Sequence, residues 1–197
     1  MAQPFTIRAG PDTDIWKKPP AKDIFNAPFK THSSNPVAKF RSAQVTFTAA
    51  YAQQYDQAGL LFRLTPPTAA DQQQPARKWV KTGVELYEGL PRLSTVSCDT
   101  WADWSVGPVD SSSAAEVAAG KRSVTVRVRA EGDANGRSWW VYHIDGETET
   151  PLREICWIAD ARYAGWTLEV AALVARPAKG GEGELEAKFE DFTVEWA

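Results

Sequence analysis

Strict alternation of apolar and polar side chains over short segments is the feature that most limits how this chain can fold. Residues 123–130 read SVTVRVRA, so the three valines of this segment share one face and its two arginines lie on the other. Residues 57–64 and 78–87 alternate in the same way, and Gly, Pro and Asp residues separate such segments. Because a side-chain period of two residues is that of a β-strand, the chain is predicted to form about eight to ten strands.

The order of these segments favours one all-β domain, a two-sheet antiparallel β-sandwich covering residues 1–197. The sequence shows no alternation of strands with helical segments, no glycine-rich phosphate loop and no internal repeat. With 43% hydrophobic and 24% charged residues, it has the composition of a globular protein. Residues 1–38 contain paired prolines and little alternation, which predicts an irregular N-terminal wrap carrying short extended pieces. Residues 65–77 are predicted to form a connecting loop.

Charge and composition argue against several functional classes. The formal net charge is -3 with basic and acidic residues interspersed, which leaves no basic stripe for nucleic acid. No apolar segment is long enough to cross a membrane and the first residues lack a secretory signal, so a cytoplasmic location is expected. Two histidines and no Cys/His cluster predict no transition-metal site and no cofactor, while carboxylate-bound calcium stays open.

Four separated segments of the sequence carry a resemblance to a known family. They are YDQAGLLFRL, KWVKTGVELYEGLPRLSTVSCDTWADWSV, VTVRVRAEGDA and FEDFTVEW. In this order they resemble the fungal and bacterial family related to "regulation of enolase" proteins, and the similarity spans residues 25–196. The resemblance implies a concanavalin A-like jelly roll of the lectin and glucanase superfamily, with one sheet curved into a concave face. It implies no particular ligand, because one fold hosts many functions.

The strand pattern and the implied fold together predict a polar groove. Side chains that point away from the core of the curved sheet would line it, and the predicted parities place six residues there: Arg63, Lys81, Glu85, Arg127, Arg129 and His143. Arginine and lysine could hold a carboxylate or sugar hydroxyls, and Glu85 could accept hydrogen bonds or a proton. Alternatively, these charges only form cross-strand ion pairs on a solvated face.

Tryptophan is unusually frequent, with nine in the chain. Trp101 and Trp104 lie in a predicted loop, where Trp101 is expected to be exposed for sugar stacking and Trp104 to plug the end of the sandwich. Trp139 and Trp140 occupy opposite faces of one strand. The parity of Tyr142 predicts Trp140 in the core, which leaves Trp139 for the wall of the groove.

Three hypotheses on function remain open. In the first, a ligand-binding or regulatory module takes a glycan, a small polar metabolite or a protein partner, and its binding residues are Arg63, Lys81, Glu85, Trp101, Arg127, Trp139 and His143. In the second, the chain is a small lyase, isomerase or hydrolase with Glu85 and His143 as proton carriers. The ExDxxE-like acids typical of glucanases in this superfamily are missing, which disfavours their reaction. In the third, exposed tryptophans form the interface of a structural interaction protein.

Overall fold

The computed structural model describes residues 3–67 and 78–197 and contains fourteen strands within them. In chain order the strands are β1 (Phe5–Ala9), β2 (Ile15–Lys18), β3 (Lys22–Phe25), β4 (Phe29–Pro36), β5 (Phe40–Ala49), β6 (Gln57–Thr65), β7 (Lys78–Tyr87), β8 (Leu90–Cys98), β9 (Ala102–Pro108), β10 (Val124–Asp133), β11 (Gly136–Asp145), β12 (Thr148–Ile155), β13 (Thr167–Ala175) and β14 (Leu185–Trp196). One short helix, α1 (Ala114–Ala118), lies between β9 and β10. Three 3-10 turns cover Val37–Lys39, Trp157–Ala159 and Ala161–Tyr163.

Two six-stranded sheets make up the body of the protein. Sheet 1 has the order β1-β14-β5-β10-β11-β12 and sheet 2 the order β4-β13-β6-β7-β8-β9, while β2 and β3 form a separate hairpin. Neighbouring strands pair antiparallel throughout both sheets. The predicted all-β jelly-roll sandwich is therefore confirmed. No helix in the described part of the chain has the length and apolar character needed to span a membrane.

The core between the sheets is built from the alternating positions that the sequence indicated. The inward residues of β6 and β10 belong to one buried cluster: Leu60, Phe62, Leu64, Val124, Val126 and Val128. Fully burying one such side chain stabilises the fold by about 1.5–3 kcal/mol relative to leaving it exposed. The two strands therefore contribute apolar contact that holds the sheets together, and their alternate side chains point away from this core.

The N-terminal region is more regular than predicted. β1 pairs with β14 at one edge of sheet 1, and β4 pairs with β13 at one edge of sheet 2. Within the residues 1–38 that were predicted as an irregular wrap carrying short extended pieces, the described part contains four strands, β1 to β4. β1 and β4 both pair with partners far away in the chain, and β4, an edge strand with one neighbour, has no buried side chain. The loop predicted for residues 65–77 lies outside the described residues from position 68 onward.

The parity predicted for β11 is also wrong. Trp139 is 3% exposed and packs against Phe40, with ring centroids 4.3 Å apart, whereas Trp140 is only partly buried. The pairing of β11 with β10 explains this, because Val141 lies opposite Val128 and His143 opposite Val126. Directly opposite residues share one face of a sheet, so the valines of β10 place the odd-numbered residues of β11 on the inner side.

The β2–β3 hairpin covers part of the outer face of sheet 2. A second buried apolar cluster joins Ile15 of the hairpin to residues from the sheet strands: Leu61, Trp79, Val96, Cys98, Ala171, Leu173 and Ala175. Trp16 and Phe25 pack against the same cluster. Apolar contact on the outer face thus fixes the hairpin over the sheet, and polar residues next to this contact are placed at the edge of a cleft.

Candidate functional site

A cavity of about 450 Å³ lies between the hairpin and the outer face of sheet 2. Its walls come from the hairpin, from β6, β7 and β9, and from two loops: Asp14, Trp16, Lys18, Lys22, Tyr55, Gln57, Lys81, Glu85, Trp104 and Pro177. The volume is within the range of about 300–1,000 Å³ that small-molecule sites usually have. The cavity combines aromatic rings with several charged groups, which suits a polar ligand that also has an apolar face.

Glu85 is the buried acid at the floor of this cavity. It is 6% exposed, and its Oε2 accepts hydrogen bonds from Ser94 Oγ at 2.7 Å and from Trp104 Nε1 at 3.0 Å. Alternation along β7 turns Glu85 away from the core, and the antiparallel pairing with β8 and β9 brings Ser94 and Trp104 to the same face. The described hydrogen bonds of Glu85 end on Oε2, so Oε1 is the oxygen available to a ligand.

The pKa of Glu85 is raised above its usual value, and desolvation by burial is the largest cause. Lys81 and the hydrogen bond from Ser94 act in the opposite direction, and nearby Asp14 adds to the increase. Burial therefore outweighs the favourable partners. A carboxyl group with a raised pKa can hold a proton at a pH where an exposed glutamate is ionised, so it can donate as well as accept hydrogen bonds.

This raised pKa predicts a pH-dependent stability difference between the wild type and Glu85→Gln. Below the ordinary glutamate pKa of 4.5, Glu85 is protonated in both the folded and the unfolded chain. As the pH rises above that value, the unfolded chain ionises first, so the folded wild type loses stability until its own pKa is passed. Urea unfolding from about pH 4 to about pH 8 should show wild type losing stability relative to Glu85→Gln. A difference that is constant or changes in the opposite direction contradicts the prediction, and the exposed Glu186→Gln serves as the control.

Lys81 and Asp14 form the second polar group of the cavity. Lys81 is 5% exposed, and its Nζ donates to Asp14 Oδ1 at 3.2 Å. The same Oδ1 accepts the backbone N–H of Ile15 at 2.7 Å, which fixes the carboxylate at the start of the hairpin. A buried ammonium needs such a partner because removing it from water is costly. Among residues 3–67 and 78–197, no group of three or more His, Cys, Asp or Glu side chains could hold a metal ion.

Three aromatic side chains, Trp16, Tyr55 and Trp104, form the walls beside these charges, and Tyr87 packs against two of them. The Trp104 ring lies edge-on to Trp16, with centroids 6.4 Å apart, and edge-on to Tyr87 at 5.0 Å. Tyr55, which is 39% exposed, lies 6.4 Å from Trp104 and stacks on Tyr87. Edge-to-face packing of this kind holds each ring in a defined orientation. The cavity therefore has fixed aromatic walls around a polar floor.

Only two of the residues predicted to bind ligand line this cavity, Lys81 and Glu85. Arg63 lies on the same outer face of sheet 2, where it forms an ion pair with Glu169 and covers the Phe29 ring. It follows Gln57 by six residues along β6, a separation of about 20 Å in an extended strand. Arg63 is therefore at the far end of the face, and the predicted single groove does not include it.

Three further predicted binding residues belong to the other sheet. Arg127 is on the outer face of sheet 1, where it donates to Gln44 and pairs with Glu149. His143 is half-buried on the inner side of β11, and desolvation lowers its pKa. Trp139 is in the core. The predicted charged floor is wrong in this respect, because the parity of a single strand shows which residues share a face but not which sheet the strand joins. Glu85 and His143 are thus not assembled as a pair.

Trp101 and Trp104 follow β8 as predicted, and Trp101 is exposed as expected, but the surroundings of Trp104 differ from those expected. Trp101 is 39% exposed, and Lys17 Nζ lies 5.5 Å from its ring centroid, outside the cavity lining. Trp104 lies in β9 and does not plug the sandwich, since its indole N–H reaches Glu85 and Ser94 on the outer face. Its aromatic edge is therefore part of the cavity.

The hairpin residues of the cavity were not predicted from the sequence, although a signal was present. The segments IWKK and KDIF flank the residues PPA, which is the pattern of two short strands joined by a tight connection. Asp14, Trp16, Lys18 and Lys22 all come from this region. Strands of four residues carry too little alternation to be recognised alone, and nothing in the sequence shows which sheet they cover.

Comparison with known proteins supports the fold. A functionally unknown protein from Saccharomyces cerevisiae has a crystal structure similar to this chain, with a TM-score of 0.71 and 20% identity, over 98% of this chain and 88% of that one. The alginate lyase from Klebsiella pneumoniae is similar with a TM-score of 0.53 and 9% identity, over 80% of this chain and 60% of that one. At these identities the similarity shows the fold alone.

Sequence comparison identifies the family. The uncharacterized protein AN7484 from Emericella nidulans is 40% identical over 194 residues, which are 97% of this chain and 86% of that protein. The model of a family described as "Protein of unknown function (DUF1349)" matches residues 2–196. The relation to "regulation of enolase" proteins stays a prediction. Because the family model covers nearly the whole length and the sequence similarity extends as far, the chain belongs to the DUF1349 family.

Proposed function

We propose that this protein binds a sugar or a sugar-derived metabolite in the cavity between the hairpin and sheet 2. The observation that carries the proposal is the combination of Glu85 and Lys81 on the floor with Trp16, Tyr55 and Trp104 on the walls. Sugars have both C–H groups and hydroxyl groups. Aromatic rings pack against the C–H groups, and buried charged groups hydrogen-bond the hydroxyls.

The polar groups of the cavity can form hydrogen bonds with the hydroxyl groups of a sugar. Glu85 Oε1 can accept from a hydroxyl, and Gln57, opposite Glu85 in the strand pairing, can both donate and accept. Lys81 is held by Asp14 and can donate a further hydrogen bond. These side chains come from the centre of a sheet and are fixed by their neighbours. Binding therefore loses little side-chain conformational entropy. The alginate lyase with a similar fold is named for a reaction on a glycan, which is consistent with this proposal. The structural similarity itself supports only the fold.

Binding is tested by thermal shift over a panel of neutral monosaccharides and disaccharides, sugar acids and sugar phosphates. A compound at about 100 times its Kd should stabilise the wild type by about 2.7 kcal/mol, which is roughly 5–10 °C for a chain of this size. Glu85→Gln should weaken binding about tenfold or more, measured by calorimetry, because a hydrogen bond to a buried charged group is replaced.

Arg127→Gln is the matched control for this experiment. It also removes one charged side chain from a strand, but from the outer face of sheet 1. It should bind the same compound with unchanged affinity. Equal losses for Arg127→Gln and Glu85→Gln would show that the effect is general destabilisation, and absence of any stabilising sugar would contradict the proposal.

A second candidate function is an enzyme that transfers a proton, which the raised pKa of Glu85 favours. In a lyase, isomerase or hydrolase, a carboxyl group whose pKa is raised by burial can act as a general acid. Asp14 is the second carboxylate of the cavity, and it pairs with Lys81. Incubating the stabilising compound with the wild type and following it by NMR tests this candidate. Conversion that stops in Glu85→Gln supports it, while an unchanged compound contradicts it.

A further inference from the structure

Two lysines of the hairpin line the cavity from the same face. Lys18 of β2 lies directly opposite Lys22 of β3, and both side chains are exposed at the cavity rim. Like charges directly opposite each other in a sheet are destabilising. Within the described residues, neither lysine has an ion-pair or hydrogen-bond partner for its side chain. Each lysine therefore has an unneutralised charge beside the proposed ligand.

The opposite face of the same hairpin provides a contrast. Lys17 and Asp23 also lie opposite each other, and their charged atoms are 4.0 Å apart. The hairpin thus pairs unlike charges on the face that carries the buried Ile15, and like charges on the face that carries Trp16 and lines the cavity. Trp16 shares the face of Lys18 and also lines the cavity, so a ligand next to this ring would lie near both ammonium groups.

The charge of the cavity is opposite in sign to that of the whole chain. The chain has a formal net charge of -3, whereas the cavity residues include three lysines and two acids. One of those acids, Asp14, is neutralised by Lys81. The other is Glu85, whose negative charge burial disfavours. The cavity is therefore positive at the Lys18 and Lys22 end, which concentrates anions from solution.

We infer that the ligand of this cavity is an anionic sugar, a hexuronate or a hexose phosphate, whose charged group is bound between Lys18 and Lys22. This inference rests on the proposed function and specifies its ligand class. The charged group lies at the rim, and the sugar hydroxyls extend toward Glu85 and Gln57 on the floor. Lysine suits either anion, because its ammonium acts as a point charge without the fixed planar fork of arginine.

Calorimetric titration with matched pairs of compounds tests the inference. Glucuronate is compared with glucose, galacturonate with galactose, and glucose 6-phosphate with glucose, on the wild type and on the double variant Lys18→Gln/Lys22→Gln. The wild type should bind at least one anionic member about tenfold more tightly than its neutral counterpart. The double variant should bind the two members almost equally, and added salt should reduce the wild-type preference because the lysines are exposed.

The control is the double variant Lys39→Gln/Lys121→Gln, which removes the same charge from exposed positions outside the cavity. It should keep the full preference for the anion. Which anion binds more tightly distinguishes a carboxylate from a phosphate ligand. If the wild type binds neutral sugars as tightly as anionic ones, the inference is overturned and the proposed function stands. The same holds if Lys18→Gln/Lys22→Gln keeps the full preference for the anion. Binding of no sugar in either class overturns both.

Discussion

Asp56→Asn should destabilise the protein by about 3–5 kcal/mol, the largest effect that we expect from a single charge. Asp56 is 0% exposed and Arg176 is 4% exposed. The substitution keeps the size of the side chain and leaves the guanidinium of Arg176 buried without an opposite charge. A buried cation without a partner costs far more free energy than the intact pair contributes. The charge has lost its hydration by water and gains no attraction to an opposite charge in return.

Several hydrogen bonds hold this pair in place. Arg176 Nε and Nη2 donate to Asp56 Oδ1 and Oδ2, each at 2.9 Å, in the bidentate arrangement that suits a planar guanidinium. Asp56 Oδ2 also accepts the backbone N–H groups of Ala52 and Gln53 at 2.9 Å. Arg176 Nη1 donates to the carbonyl of Gly183 at 3.1 Å. One buried pair therefore joins three separate segments of the chain.

Urea unfolding of Asp56→Asn, Arg176→Met and the double variant measures this coupling. The double variant should lose less stability than the sum of the two single variants, because it leaves no unpaired buried charge. Arg8→Met removes one member of an exposed ion pair and should change stability by less than about 1 kcal/mol. Single variants as mild as Arg8→Met would show that the buried pair is not needed.

The same pair also positions one wall of the cavity. Tyr55 and Gln57 flank Asp56 in the sequence, Pro177 follows Arg176, and all three neighbours line the cavity. Tyr55 has a φ of 68°, a left-handed conformation that tyrosine rarely adopts, and its N–H donates to Leu86 O at 2.7 Å. Surrounding structure must hold such a conformation in place. Variants that remain folded at low temperature should therefore also show weaker sugar binding.

The sequence was sufficient for the fold class because several strands have one unambiguous apolar face. In β10 the valines alternate with polar residues, so burial allows only one orientation. In β11, by contrast, Trp139 and Val141 compete with Trp140 and Tyr142, and both faces look apolar. Only the pairing with β10 decides between them, and that pairing is a property of the assembled sheet.

The candidate site was only partly predictable for a related reason. Lys81 and Glu85 could be assigned to one outer face from the alternation of β7, and the structure places both in the cavity. Asp14 and Trp16 precede Lys81 and Glu85 by more than about sixty residues in the chain. Apolar contacts with sheet 2 hold this hairpin region in place. Such long-range contacts leave no periodic signal in the sequence.

Gly83→Ala should destabilise the protein by about 3 kcal/mol or more, because β6 and β7 approach each other too closely for a side chain at this position. Gly83 lies opposite Gly59, between Lys81 and Glu85 on the outer face. A Cβ atom on Gly83 would be 2.0 Å from Ala58 O and 2.7 Å from Gly59 Cα. Both contacts are with backbone atoms, so no side-chain rotation can relieve them and the strands have to separate.

Separation of these strands would also change the cavity, since Gln57 of β6 lies opposite Glu85 of β7. Urea unfolding and sugar titration of Gly83→Ala should therefore show losses of both stability and affinity. Gly107→Ala, in β9 of the same sheet, is the control because its Cβ would meet nothing within 4 Å. It should be neutral or slightly stabilising, since alanine reduces the freedom of the unfolded chain. If Gly83→Ala is as stable as Gly107→Ala, the close approach of β6 and β7 is not required, and the glycine pair does not set the geometry of the cavity floor.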